Sequence, residues 1–90
     1  MTSTWKYRAN LESVATEIMK ARKKFRPFVN AHEAYAVLSE EVEELWAVVK
    51  SKSDGTVKDR AKRIREEAMQ VAAMAVCIMT EIVEDDDAKS

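Results

Sequence analysis

The sequence predicts an all-α fold, on three grounds. Apolar residues recur at three- and four-residue steps through most of the chain, the period of an amphipathic helix rather than of a strand. Only one Gly and one Pro occur in 90 residues, so there is turn material for few elements, and those must be long. Helix start and stop signals separate the periodic stretches. Together these describe a three-helix unit within a single domain, residues 1–90. A chain of this length removes only about 60–65% of its unfolded surface from water and is marginal alone. Its hydrophobic share is nevertheless 47%, enough for a core and for an interface between subunits.

The first helix is expected from about residue 4 to residue 25. Leu11, Val14, Ala15, Ile18, Ala21 and Phe25 recur along one face, and Ser3 or Thr4 can cap its start. Pro27 disfavours helix at Arg26 and removes a backbone donor, which ends the element just before it.

The second helix opens on Asn30-Ala31-His32-Glu33, the N-cap-to-N3 spacing of a capping box with Asn in place of Ser or Thr. Tyr35, Leu38, Val42, Leu45 and Val49 then form a heptad-like seam suited to near-antiparallel packing. Ser53-Asp54-Gly55 reads as the closing turn.

The third helix is expected to start near Thr56, with Asp59 placed for reciprocal capping. Its first half is basic, and from Ala68 to Val83 nearly every position is apolar. A helix apolar on all sides must be covered on all sides, and two other helices hardly suffice. A partner subunit is therefore expected, giving a helical-bundle homodimer or tetramer. Met69, Met74 and Met79 would fill gaps in that interface, and the acidic tail, residues 84–90, should fray.

Composition removes several function classes. A net charge of −1 provides no general field to recruit nucleic acid. The longest apolar run, Val71 to Met79, is far short of the roughly 20 residues that span a bilayer, so no membrane partner is expected. The first residues lack the apolar stretch of a secretory leader. The single Cys77 cannot form an internal disulfide, sits in an apolar run, and fits a buried thiol in a reducing, cytoplasmic setting. There is no Gly-rich phosphate loop, nucleophile elbow or zinc-ligand spacing. One histidine without a Glu-x-x-His pair disfavours a ferritin-like di-iron site.

The acids carry the functional signal. At about 100° per residue, Glu40 points nearly opposite the Tyr35–Val49 seam, Glu44 lies to one side and Glu41 sits closer to the core edge. Val37 and Val48 frame Glu41 and Glu44, which at i and i+3 can aim at one point. Glu67 and Gln70 repeat that spacing where the third helix turns from polar to apolar. Crowded carboxylates repel unless a cation joins them, and hard oxygen ligands suit Mg²⁺ or Mn²⁺. Glutamate-rich patches are also commonly solvated helix faces, so spacing alone leaves both readings open.

Glu40-Glu41-x-x-Glu44, followed after a linker by Glu67-x-x-Gln70, resembles the Glu-Glu-x-x-Glu…Glu-x-x-Asp signature of the MazG-like all-α nucleoside triphosphate pyrophosphohydrolases. The segments 31–38 and 70–76 are similar to small, phage-type members, and the likeness covers residues 25–80. It implies hydrolysis of NTPs or dNTPs to the monophosphate and pyrophosphate in a housecleaning role. Glu41, Glu44, Glu67 and Gln70 would ligate Mg²⁺ (or Mn²⁺), Glu40 and Glu41 would be catalytic, and Glu40 would position the attacking water or a second ion. The chain departs from the family in two places. Gln70 offers a neutral amide oxygen where the pattern has Asp, with Glu66 close enough to compensate. The further helix that carries phosphate-holding Lys, Asn and Arg in many relatives has no counterpart here. The clusters around Lys24 (Arg22-Lys23-Lys24-Arg26) and Arg60-Lys62-Arg63-Arg65 either replace it or are solvated charge. His32 is either close to a nucleotide base or a first-turn surface residue. Phe28 and Trp46 lead the aromatics that either stack on a base or join the core. A nucleotide-binding protein without turnover and a purely structural helical oligomer are the alternatives.

Overall fold

A computed structural model of the chain describes residues 4–51 and 57–82. These form three helices: α1 (Thr4–Lys24), α2 (Ala31–Lys50) and α3 (Val57–Glu81). The predicted Ser3 cap, the Ser53-Asp54-Gly55 turn, the Thr56 start and the tail lie outside the described residues. Among the described residues, no helix is long and apolar enough to cross a membrane.

The α1–α2 connection follows from its chemistry. α1 stops three residues before Pro27, where the ring forbids continuation. Asn30 sits in extended conformation and its Oδ1 accepts from the Glu33 backbone N–H at 2.8 Å. Glu33 returns the favour to Val29 rather than to Asn30, accepting its N–H at 2.9 Å. The capping box is thus displaced by one residue on its return arm. Asn30→Ala leaves the α2 amide without its acceptor and should lower stability by about 1 kcal/mol, read from urea unfolding midpoints at unchanged slope.

α3 packs against both other helices, more extensively against α2 than against α1. The core is built around α3: Ala73, Met74 and Cys77 are buried with Val14 of α1, and Ile18, Ala21, Phe28, Val37 and Leu38 pack against them. Among the described residues no polar side chain is fully buried. Arg65 donates to Asn10 Oδ1 at 2.7 Å and ties α3 to α1. Arg60 donates to the Val49 carbonyl, one of the orphan acceptors at the end of α2.

Three expectations need correction. The Tyr35–Val49 seam is not the buried face: Tyr35 is 70% and Val42 46% exposed, whereas Ala34 and Val48 are buried. The face against α3 runs through Ala34, Val37, Leu38, Glu41, Leu45 and Val48, rotated by roughly 60° from that seam at 100° per residue. On α1, Leu11, Ala15 and Phe25 are exposed, while Val14, Ile18 and Ala21 carry the contact with α3. α3 is not enclosed on all sides in the single chain, since Met79 is 78% exposed. At 100° per residue the exposed Ala68, Val76 and Met79 fall on one side of α3, and that side keeps its apolar surface in water.

The closing end of α3 is held by charge. Arg22 grips Glu81 with Nε at 2.6 Å and Nη2 at 2.8 Å, and the same carboxylate accepts the Phe28 N–H at 2.9 Å. The guanidinium also lies 5.0 Å from the centre of the Phe28 ring. Arg22's hydrogen bonds hold the Glu81 carboxyl below its usual range, and Arg26 with the Val29 N–H holds Glu33 at about 2. A carboxyl more acidic in the folded state stabilises that state above its unfolded value, and the gain is lost as pH falls through the folded value. Tm should therefore fall as pH drops below about 4.5, the Glu33 share extending to about 2, and Glu81→Gln should remove the Glu81 share of that fall in a Tm–pH series.

Candidate functional site

The rotation of α2 places Glu41 near the middle of the face turned to α3. Ala34, Val37, Leu38, Leu45 and Val48 surround it along that strip, and it is the strip's single ionisable residue. Glu44, one turn on, stands at the exposed edge, and Glu67 comes from α3, half-buried. One carboxylate oxygen from each of Glu41, Glu44 and Glu67 lies within 4.8 Å of the others. The two helices bring these three acids together because both pairs ride on the α2–α3 contact.

The electrostatics follow from that placement. Burial raises the proton affinity of Glu41 first, and the neighbouring charges of Glu44, Glu67 and Glu40 raise it further. A shared divalent cation reverses that balance, since it interacts with all three carboxylates at once. Three oxygen donors converging from two rigid helices, with open space beside them, fit a small hard cation such as Mg²⁺ or Mn²⁺, which keeps some of its own water.

Glu41 also belongs to a cleft of about 510 Å³ between the end of α1, the α1–α2 connection, α2 and α3. Glu40, Glu41 and Gln70 line one side of it, and Arg22, Arg26 and Glu33 contribute charge elsewhere along its wall. Phe25, Phe28, Val37 and Met74 supply apolar lining. The volume lies in the range of small-ligand sites, and the lining mixes apolar surface with a few charged groups as such sites do.

The sequence-derived residues divide cleanly. Glu41, Glu44 and Glu67 come together; of the three, Glu41 also lines the cleft, beside Glu40, Gln70 and Phe28. His32, Trp46 and Lys24 are exposed and are not among the lining residues. The Trp46 ring instead lies 6.0 Å beneath the Lys50 ammonium, its neighbour one turn on. Of the basic clusters, Arg22 and Arg26 reach the cleft, while Arg60 and Arg65 are spent on helix–helix hydrogen bonds.

Glu17 was not singled out by the sequence. Its Oε1 accepts from the Gln70 side-chain nitrogen at 2.6 Å, across the α1–α3 contact. That bond gives a physical reason for Gln at this position: an Asp would set a second carboxylate beside Glu17, whereas an amide can donate. No local pattern in α1 announces Glu17, since its role depends on which turn of α3 it meets.

Cys77 is buried, as expected. Burial pushes its thiol up, which keeps it protonated and unreactive at neutral pH.

Among known proteins, the chain matches no family model, no curated protein and no solved structure.

Proposed function

We propose that the chain is a divalent-metal-dependent nucleoside triphosphate pyrophosphohydrolase that cleaves (d)NTP to (d)NMP and pyrophosphate. The observation that carries this reading is the convergence of Glu41, Glu44 and Glu67 within 4.8 Å at the edge of a cleft that also holds guanidinium and aromatic groups. The signature resemblance is the second support, and it supplies the reaction type that geometry alone does not.

Glu41, Glu44 and Glu67 would hold the ion, with the Gln70 amide oxygen as a further donor. Bound there, Mg²⁺ would neutralise polyphosphate charge as phosphorus is attacked. Glu40 faces the same cleft and is exposed, so it can orient a water and accept its proton. Phe28, which packs against the core and lies under the Arg22 guanidinium, contributes apolar lining to the cleft rather than a free ring face. The exposed apolar half of α3, with Val76 and Met79, fits a second copy of the chain, and a homodimer or homotetramer belongs to this reading.

The Gln70–Glu17 bond favours one alternative, a nucleotide-binding protein with weakened turnover, because the amide at position 70 is already engaged. The deciding assay incubates the protein with a panel of dNTPs and Mg²⁺ or Mn²⁺ and separates the products. Pyrophosphate with the monophosphate supports the enzyme, orthophosphate or no product with either metal contradicts it, and tight binding without product favours the alternative. Gln70→Asp alone would set carboxylates against each other, so the variant that restores an acidic fourth ligand is Glu17→Gln with Gln70→Asp.

A further inference from the structure

We infer that Arg26 binds the polyphosphate tail of the ligand, and that it does so by exchanging the Glu33 carboxylate for a pair of phosphate oxygens. The inference rests on the reading above for the identity of the ligand, and on the cleft's two arginines for everything else.

Both arginines that line the cleft are already held by carboxylates, but not equally. Arg22 is locked: Glu81 accepts two of its hydrogen bonds, also accepts the Phe28 N–H, and both side chains are largely buried, 19% and 14% exposed. Withdrawing Arg22 would leave Glu81, largely out of water, with the Phe28 N–H but no opposite charge. Arg26 is held at the surface. It meets Glu33 at 2.9 Å and 2.8 Å, with side chains 62% and 34% exposed. Exposed pairs of this kind change an equilibrium by at most about fivefold.

Glu33 can lose this partner without being orphaned. Its Oε1 keeps the Val29 N–H at 2.9 Å, so the start of α2 stays capped when the guanidinium leaves. A doubly charged phosphate presents oxygens that a guanidinium fork engages two at a time, as it does a carboxylate, and carries more charge. The Glu33 carboxyl, held at about 2, stays ionised at neutral pH, so exchange rather than protonation frees Arg26. Glu41, which links the carboxylate cluster to the cleft, and one releasable guanidinium in the cleft wall give a charge pattern that matches a polyphosphate chelated to a divalent ion.

The test is calorimetric binding of Mg²⁺–tripolyphosphate, and of a non-hydrolysable α,β-methylene dNTP with Mg²⁺, to wild type, Arg26→Gln, Arg26→Lys, Glu33→Gln and the double Arg26→Gln/Glu33→Gln. Manganese binding without phosphate is measured in parallel. Arg26→Gln should weaken both phosphate ligands about tenfold or more, and Arg26→Lys should recover only part of the loss. Glu33→Gln keeps the acceptor for Val29 but removes the competing charge, and should tighten binding by a few-fold. The double variant should bind like Arg26→Gln. Unchanged phosphate affinity in Arg26→Gln, or weaker binding in a folded Glu33→Gln, overturns the inference while intact manganese binding leaves the metal site standing. Arg26-dependent binding of tripolyphosphate without the nucleotide upholds the inference and contradicts the nucleotide reading. Absence of phosphate binding to wild type overturns both.

Discussion

Glu41→Gln is expected to reduce metal-dependent turnover by roughly a thousandfold while leaving the metal-free protein more stable than wild type. The two effects share one cause. Glu41 stands in the middle of the α2 face that packs on α3, so its charge is partly desolvated and lies among those of Glu44, Glu67 and Glu40. Neutralising it with an isosteric amide relieves repulsion worth about 0.5–1 kcal/mol, by analogy with like-charged pairs at helical spacing. On the proposed reading, the same carboxylate would bridge a bound cation to the cleft, and its loss would remove several kcal/mol of charge stabilisation at phosphorus. A carboxyl whose proton affinity is raised by folding costs stability as pH rises from about 4.5 through its folded value. That decline should be present in chelator-treated wild type and absent in Glu41→Gln. Mg²⁺ at ten times its dissociation constant should add about 1.4 kcal/mol to wild type, or about 6–11 °C in Tm, and nothing comparable to the variant. Scanning calorimetry with chelator and with Mg²⁺, beside a pyrophosphate-release assay, reads all of this.

Arg22→Ala is expected to have the largest effect on stability itself, about 2–3 kcal/mol, or roughly 10–20 °C in Tm. Removing the guanidinium strands the Glu81 carboxylate, which is 14% exposed, beside the Cys77 thiol. It also frees the Phe28 ring that the guanidinium covers. Three elements meet at this pair: the end of α1, the α1–α2 connection and the last turn of α3. Arg22→Ala/Glu81→Ala should recover part of the loss, because no buried charge is then left alone. A double-mutant cycle by urea unfolding measures that coupling; equal and additive losses would mean the pair contributes packing only.

Much of this was readable from residue order, for identifiable reasons. The α1 stop before Pro27 and the Asn30 cap depend on local backbone chemistry, and both occur where the residues place them. The facing of α2 does not depend on local chemistry. Its apolar residues fill two neighbouring stripes, Tyr35–Val42–Val49 and Ala34–Val37–Val48, and only the position of α3 decides which one is covered. Glu41 was legible as a residue at the core edge, and the rotation moves it further inward. Glu17 and the unequal locking of Arg22 and Arg26 were not legible, since each depends on contacts more than fifty residues apart or on the depth of a surface pair.

If Glu41, Glu44 and Glu67 crowd together to share a cation, anomalous diffraction from crystals grown with Mn²⁺ should show one strong peak about 2.0–2.2 Å from an oxygen of each carboxylate, lost in crystals of Glu41→Gln. Crystals at saturating Mn²⁺ with no peak there, or with Glu41 and Glu67 turned away from one another into solvent, would contradict the shared site.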